Sequence, residues 1–242
     1  FLLELNGRLT SDRPFRGLSL REYALDPVMR LPDLTPTIGN FEDDWDKLAD
    51  CDWIVEVVVE RLDIKQQVFA RVDEVRKPGS IVSSNTSGLS IRGMVEGRSE
   101  DFRQHFLVTH FFNPVRYMRL LELVAGEETD PEIVDFIADF GRFRLGKGIV
   151  FGKDTPNFVG NRIGCYSMSL TMNEMLDANL TPEDVDAITG PPMGHPKSAS
   201  FRTADMVGLD TFKHVSDNCY EALVDDPERD VFKPPAFMVA MV

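Results

Sequence analysis

Apolar residues in the first part of the chain follow strand and helix patterns in turn. Residues 53–59, Trp-Ile-Val-Glu-Val-Val-Val, form a nearly continuous β-branched run, as expected for a strand buried on both faces. Helical spacing follows in residues 64–75 and stops at Pro78-Gly79. The same reasoning predicts four more strands and two more helices: strands at 80–84, 106–112, 120–124 and 148–151, and helices near 90–95 and at 131–143. This alternation predicts a doubly wound α/β sheet.

The strand pattern stops at Asp154-Thr155-Pro156, a sequence typical of a helix start. Helical patterns follow at 157–178, 181–188 and 203–223. We therefore expect a sheet domain over residues 1–155 and an all-helical domain over residues 156–242. Several prolines interrupt residues 1–40, which we expect to be mostly irregular. Because the chain starts without Met and stops on an apolar run, we expect both domains to be truncated at their outer ends.

Charge and cysteine content exclude several classes of protein. The chain has 26 Lys and Arg against 40 Asp and Glu, a formal net charge of -14, which disfavours nucleic-acid binding. A dinucleotide or coenzyme A remains compatible, because local basic groups or a helix N-terminus can hold its phosphates. The three cysteines have no zinc-ligand spacing and suggest no disulfide framework. With no apolar run of membrane-spanning length, a cytoplasmic protein is expected.

Polar residues follow three successive predicted strands. Glu60 ends the first strand and Lys65 lies in the first turn of its helix, while Asn85-Thr86-Ser87 follows the second strand. The third strand carries His110 and is followed by Asn113. Open α/β sheets bind ligands beyond the carboxyl ends of their strands. We therefore expect these residues to line one edge.

His110 and Glu122 are predicted to face each other. If residues 114–118 form the turn of an antiparallel hairpin, facing residues have numbers that sum to about 232, and this pair satisfies that sum. A carboxylate beside an imidazole fixes its tautomer, as a general base requires, but a structural buried pair fits equally well. The predicted helix start places Asn161 near a helix N-terminus, where its amide could hydrogen-bond a substrate carbonyl or the His110 ring, or simply be solvated.

Four sequence blocks together resemble the 3-hydroxyacyl-CoA dehydrogenases. They are Ser84-Asn85-Thr86-Ser87, His110-Phe111-Phe112-Asn113-Pro114, the Glu122 twelve residues after His110, and Asp154-Thr155-Pro156-Asn157-Phe158-Val159-Gly160-Asn161-Arg162. The blocks occur in the family's order and near its spacing, and the resemblance runs from about Gly39 to the C-terminus. It implies a partial Rossmann-type sheet that binds NAD, followed by the helical domain.

The same resemblance implies roles for individual residues. His110 would be the catalytic base and Glu122 the carboxylate paired with it. Ser87 and Asn161 would contact the reacting oxygen of an acyl-CoA substrate. The cofactor contacts would come from Glu60, Lys65, Asn85 and Asn113.

The resemblance also implies partners and a pathway. The family acts in fatty-acid β-oxidation, oxidising L-3-hydroxyacyl-CoA to 3-oxoacyl-CoA, and we expect a homodimer formed through the helical domain. Residues 190–210 resemble the long microbial members, which also carry an enoyl-CoA hydratase domain. We therefore expect such a domain downstream in the natural protein.

One family feature is missing from the sequence. The family begins with a strand that leads into GxGxxG, and these 242 residues contain no such motif. We therefore expect the chain by itself to lack about half of the cofactor contacts and to show no measurable dehydrogenase activity. Two alternatives stay open: a related hydroxy-acid dehydrogenase, and a non-catalytic fragment whose helical domain mediates dimerisation.

Overall fold

The computed structural model describes residues 39–242, so the irregular segment predicted within residues 1–38 lies outside the described residues. The chain divides into two compact units on either side of the Asp154–Thr155 bond. The sequence predicts the boundary between residues 155 and 156.

The first unit contains a sheet whose strands follow one another in chain order. Its elements are β1 (Trp53–Glu56), α1 (Leu62–Val75), β2 (Ile81–Ser84), α2 (Ile91–Met94), α3 (Glu100–Gln104), β3 (Phe106–Phe111), β4 (Leu120–Ala125), α4 (Pro131–Phe143) and β5 (Gly148–Gly152), preceded by a 3-10 turn at Trp45–Asp50. The order in the sheet is β1-β2-β3-β4-β5. All neighbours are parallel except β3 and β4, which are antiparallel.

Helices cover both faces of this sheet. On one face, α4 packs Ile133, Ile137 and Ala138 against a core of strand residues that includes Leu107 and Leu123. On the other face, the ring of Phe69 from α1 lies 5.1 Å from the ring of Phe106 on β3. The predicted doubly wound α/β architecture is therefore confirmed. Since side chains alternate along a strand, the even-numbered residues of β3 and β4, His110 and Glu122 among them, lie on the α1 face.

Strand β1 is shorter than the sequence predicts. It ends at Glu56, and the side chains of Val57 and Val59 are 38% and 59% exposed. The Val58 N–H donates to the Glu56 carboxylate, 2.5 Å from N to Oε1, so this N–H bonds to a side chain and not to the strand ladder. The apolar run continues beyond the buried strand, so the pattern alone does not show where the chain leaves the sheet.

The second unit is helical in its described residues. Its helices are α5 (Gly160–Asp177), α6 (Pro182–Thr189), α7 (Phe201–Val207), α8 (Leu209–Ala222) and α9 (Ala236–Val239), with 3-10 turns at Pro191–Met193 and Arg229–Phe232. Residues of α5 and α8, including Met172 and Phe212, form its core. Within residues 39–242, every helix is too short or too polar to cross a lipid bilayer.

Two buried thiols lie in this core. A hydrogen bond from the Cys165 thiol holds the pKa of Cys219 below its usual value, and the same bond raises the pKa of Cys165. The Asn157 amide also donates to the Cys219 sulfur, over 2.8 Å. These contacts connect the segment before α5 to α8.

The predicted helix start at Asp154-Thr155-Pro156 is wrong. Asn157 and Phe158 have φ values of 58° and 46°, in the left-handed region that a right-handed helix cannot include, and α5 begins at Gly160. The Asp154 carboxylate instead accepts the Ile91 N–H at the start of α2, at 3.1 and 3.2 Å. The single helix predicted at 203–223 is also divided, because Gly208 has a φ of 95° between α7 and α8.

Candidate active site

His110 and Glu122 face each other across β3 and β4. Residues 107 to 111 pair with 125 to 121, so the predicted hairpin register is confirmed. The His110 Nδ1 lies 2.6 Å from the Glu122 Oε2. His110 is 4% exposed and Glu122 is fully buried. A hydrogen bond this short, inside the protein, holds the ring in one orientation.

The chemistry of this pair follows from the imidazole tautomer. When Nδ1–H donates to a carboxylate, the neutral ring carries its lone pair on Nε2. That nitrogen can accept a proton, and the carboxylate stabilises the imidazolium that forms. His110 is the penultimate residue of β3, so this basic nitrogen lies at the end of the strand where ligands of open α/β sheets bind.

A second cluster lies at the same edge, beyond β1 and β2. The Glu60 Oε1 accepts hydrogen bonds from the Thr86 hydroxyl, at 2.6 Å, and from the Ser87 N–H, at 2.8 Å. The Glu60 side chain is 34% exposed. A carboxylate that keeps this much exposure can also accept hydrogen bonds from the hydroxyls of a bound ligand.

Asn85 connects this cluster to the strand of His110. The side-chain Oδ1 of Asn85 accepts the Phe111 N–H over 2.8 Å. The backbone N–H of Asn85 donates to the Glu56 carbonyl oxygen of β1, also over 2.8 Å. Asn85 thus links β1, β2 and β3 where the three strands end. The structure therefore brings Glu60, Asn85 and Ser87 to one edge with His110, as the sequence predicts.

Lys65 lies deeper than the other predicted cofactor residues. It is 1% exposed, and its Nζ contacts both oxygens of Glu56, at 2.8 and 3.0 Å. The same nitrogen lies 3.3 Å from the Glu60 Oε2 and 3.4 Å from the Val58 carbonyl oxygen. The Lys65 ammonium is therefore surrounded by acceptors of its own unit.

The two remaining predicted residues are placed differently. Asn113 follows β3 in an exposed segment, and Asn161 is in the first turn of α5, in the second unit. Asn113 is therefore outside the hydrogen-bonded clusters described for the first unit.

Sequence reasoning assigned no individual role to three buried polar residues of the edge. Glu56, Ser84 and Thr86 are at most 1% exposed, and the Ser84 hydroxyl donates to the Glu56 Oε2 over 2.5 Å. A signal for Glu56 is present in the sequence, since it is the one charged residue in the apolar run 53–59. A charge in a strand buried on both faces needs a buried partner.

Comparisons with known proteins match both parts of the chain to one family. Residues 32–155 match the model for the 3-hydroxyacyl-CoA dehydrogenase NAD binding domain, and residues 158–242 match that for the C-terminal domain of the same family. A "Probable 3-hydroxyacyl-CoA dehydrogenase" of Bacillus subtilis is 52% identical over 239 residues, which are 99% of this chain and 30% of that protein. A relative of the same name from Deinococcus radiodurans is 45% identical over 84% of this chain and 59% of its own length.

Solved structures show the same relationship. FadB2 of M. tuberculosis has a TM-score of 0.74 and 31% identity, over 82% of this chain and 67% of its own. The (S)-3-hydroxybutyryl-CoA dehydrogenase PaaH1 of Ralstonia eutropha has a TM-score of 0.71 and 30% identity, over 81% of this chain and 67% of its own. The chain spans less than two thirds of the two curated relatives above. Both family models match in chain order, so the chain belongs to the 3-hydroxyacyl-CoA dehydrogenase family, with NAD as the cofactor of its first domain.

Proposed function

We propose that this chain carries the catalytic base of an enzyme that oxidises L-3-hydroxyacyl-CoA to 3-oxoacyl-CoA with NAD+. The observation that carries the proposal is the buried contact of 2.6 Å between the His110 Nδ1 and Glu122. An alcohol can lose hydride from carbon only as its hydroxyl proton leaves. The oriented Nε2 of His110 is the group that takes this proton.

The steps at the protein follow from this geometry. His110 accepts the proton of the C3 hydroxyl on Nε2, and Glu122 stabilises the resulting imidazolium. NAD+, when bound, would supply the acceptor for the hydride of C3, so that the substrate would lose one proton and one hydride in all. In the reverse direction the imidazolium returns its proton to the C3 oxygen.

The other assignments are part of the same proposal. Ser87 and Asn161 contact the reacting oxygen, an assignment supported by the sequence resemblance. Glu60, Asn85 and Asn113 contact the nicotinamide half of the cofactor. The one-third exposure of the Glu60 carboxylate supports this, because ribose hydroxyls are donors that such a carboxylate accepts.

We also propose a cellular setting. The enzyme acts in fatty-acid β-oxidation in the cytoplasm, as a homodimer formed through its second unit. A protein named "Putative fatty acid oxidation complex trifunctional enzyme" in Rickettsia felis is 35% identical over 85% of this chain and 28% of its own length. This relative supports the pathway and a neighbouring enoyl-CoA hydratase domain.

The direct test compares substrates. The full-length protein is given NADH with either acetoacetyl-CoA or free acetoacetate, and NADH oxidation is followed by absorbance. We expect rapid oxidation with the CoA ester and little with the free acid. Equal rates would instead indicate a hydroxy-acid dehydrogenase, and no oxidation with either would indicate a non-catalytic protein.

Glu122→Gln tests the carboxylate at the base. Glutamine keeps the shape of the side chain, but its neutral amide does not stabilise the imidazolium. We expect kcat for acetoacetyl-CoA to fall by about 100-fold, at the lower end of what a general base contributes. The affinity for NADH, measured by fluorescence titration, should stay close to wild type.

The matched control for this variant is Glu128→Gln. Glu128 is an exposed carboxylate that pairs with Arg103 on the surface, 2.9 Å from Nε to Oε1. It should leave kcat unchanged. A normal kcat in Glu122→Gln would make the pair with His110 a purely structural contact.

A further inference from the structure

The loop between β2 and α2, residues 85–90, is held by side-chain hydrogen bonds on both sides of Ser87. The Thr86 N–H donates to the Ser84 hydroxyl over 3.1 Å, and that hydroxyl donates to Glu56. The Thr86 hydroxyl donates to Glu60 and accepts the Leu89 and Gly88 N–H groups, at 3.1 and 3.4 Å. A hydroxyl has one donor and two acceptor positions, and this one uses all three.

Ser87 lies between these anchors. Its N–H donates to the same Glu60 oxygen that accepts the Thr86 hydroxyl. The backbone before Ser87 is thus held through Thr86 and the backbone after it through Gly88 and Leu89. Thr86 is fully buried, so it does not reach a ligand itself.

Lys65 connects the two carboxylates on which the loop depends. Its ammonium contacts Glu56 at 2.8 Å and Glu60 at 3.3 Å. Two carboxylates this close to one another repel unless a cation lies between them. An ammonium has three N–H donors, and the acceptors around Lys65 are Glu56, Glu60 and the Val58 carbonyl oxygen.

We propose that Thr86 is a positioning residue for the dehydrogenase reaction, and that Lys65 supports it through the same network. This inference rests on the proposed function, because it takes Ser87 as a contact of the reacting oxygen. The Thr86 hydroxyl places Ser87 by holding the backbone on both sides of it. Lys65 keeps Glu56 and Glu60 in position to hold Thr86 and the Ser84 hydroxyl.

The test compares Thr86→Val with Thr86→Ser in the full-length protein. Valine keeps the volume and removes the hydroxyl, so Glu60 loses a donor and the Leu89 and Gly88 N–H groups lose their acceptor. Because displacement of a reacting group by about 1 Å can cost about 100-fold, we expect kcat to fall by about 10- to 100-fold. Serine keeps the hydroxyl, so its kcat should stay near wild type. The NADH affinity should change much less than kcat in Thr86→Val, because Lys65 still contacts Glu60, and should be unchanged in Thr86→Ser.

Thr129→Val is the matched control. The Thr129 hydroxyl also organises a loop: it donates to the Phe106 carbonyl oxygen over 2.6 Å and accepts the Gly126 N–H over 2.8 Å. Phe106 is the first residue of β3 and His110 is near the last, so Thr129 lies at the end of the strand opposite to His110. This variant should lose stability as Thr86→Val does, with kcat unchanged.

Hydrogen exchange provides a readout that does not depend on turnover. We expect Thr86→Val to accelerate exchange of the Ser87, Gly88 and Leu89 amides, and Thr86→Ser to leave it slow. A wild-type protein that fails to reduce acetoacetyl-CoA would overturn the proposed function, and slow exchange in Thr86→Val would still overturn the positioning role. Equal kcat in the valine and serine variants of an active enzyme would also overturn it, and so would loss of NADH affinity alone.

Discussion

His110→Ala is expected to lower kcat for acetoacetyl-CoA reduction by about 100- to 10,000-fold, the range that a positioned general base or acid contributes. The physical reason is that alanine leaves no group to exchange a proton with the C3 oxygen, while the cofactor contacts proposed for Glu60 and Asn85 are untouched. The NADH dissociation constant should therefore stay close to wild type. Steady-state kinetics and NADH fluorescence titration of the full-length protein measure the two quantities.

The control for this variant is His105→Ala. His105 precedes β3, and its Nδ1 contacts the Asp101 carbonyl oxygen at 2.7 Å, at the opposite end of the strand from His110. It should keep a normal kcat. If His110→Ala keeps a normal kcat as well, His110 has no part in proton transfer.

Lys65→Met is expected to destabilise the first unit by about 3–5 kcal/mol, the cost of leaving a buried charge without its partner. Glu56 is 1% exposed, so its carboxylate cannot recover hydration when the ammonium is lost. Both tryptophans of the chain, Trp45 and Trp53, are in the first unit. Urea unfolding followed by tryptophan fluorescence therefore reports this unit separately.

Two further variants define the origin of that loss. Lys77 pairs with Asp52 at side-chain exposures of 39% and 32%, so Lys77→Met should cost no more than about 1 kcal/mol. Adding Glu56→Gln to Lys65→Met removes the uncompensated charge and should restore part of the stability. A Lys65→Met protein that unfolds at the same urea concentration as Lys77→Met would show that the buried pair contributes little.

The sequence by itself determined the architecture of the first unit and the pairing of His110 with Glu122. Strands and helices of the first unit follow from two patterns of apolar residues, because a strand buried on both faces selects a continuous run and a helix buried on one face selects spacings of three and four. The contact of His110 with Glu122 follows from arithmetic, since a short antiparallel turn sets the register of its strands. The blocks that carry the family resemblance also lie in the sequence, and both family models match there.

Only the tertiary structure decided which polar residues are buried and what they hold. Asp154, part of the predicted helix start, instead binds the start of α2, because a carboxylate can accept N–H groups far away in sequence. The buried pairing of Lys65 is a second example, because the fold places Glu56 and Glu60 within reach of its ammonium. Thr86 has no distinctive pattern of its own. Its role arises from partners that the sheet brings together, and local spacing contains no information about such contacts.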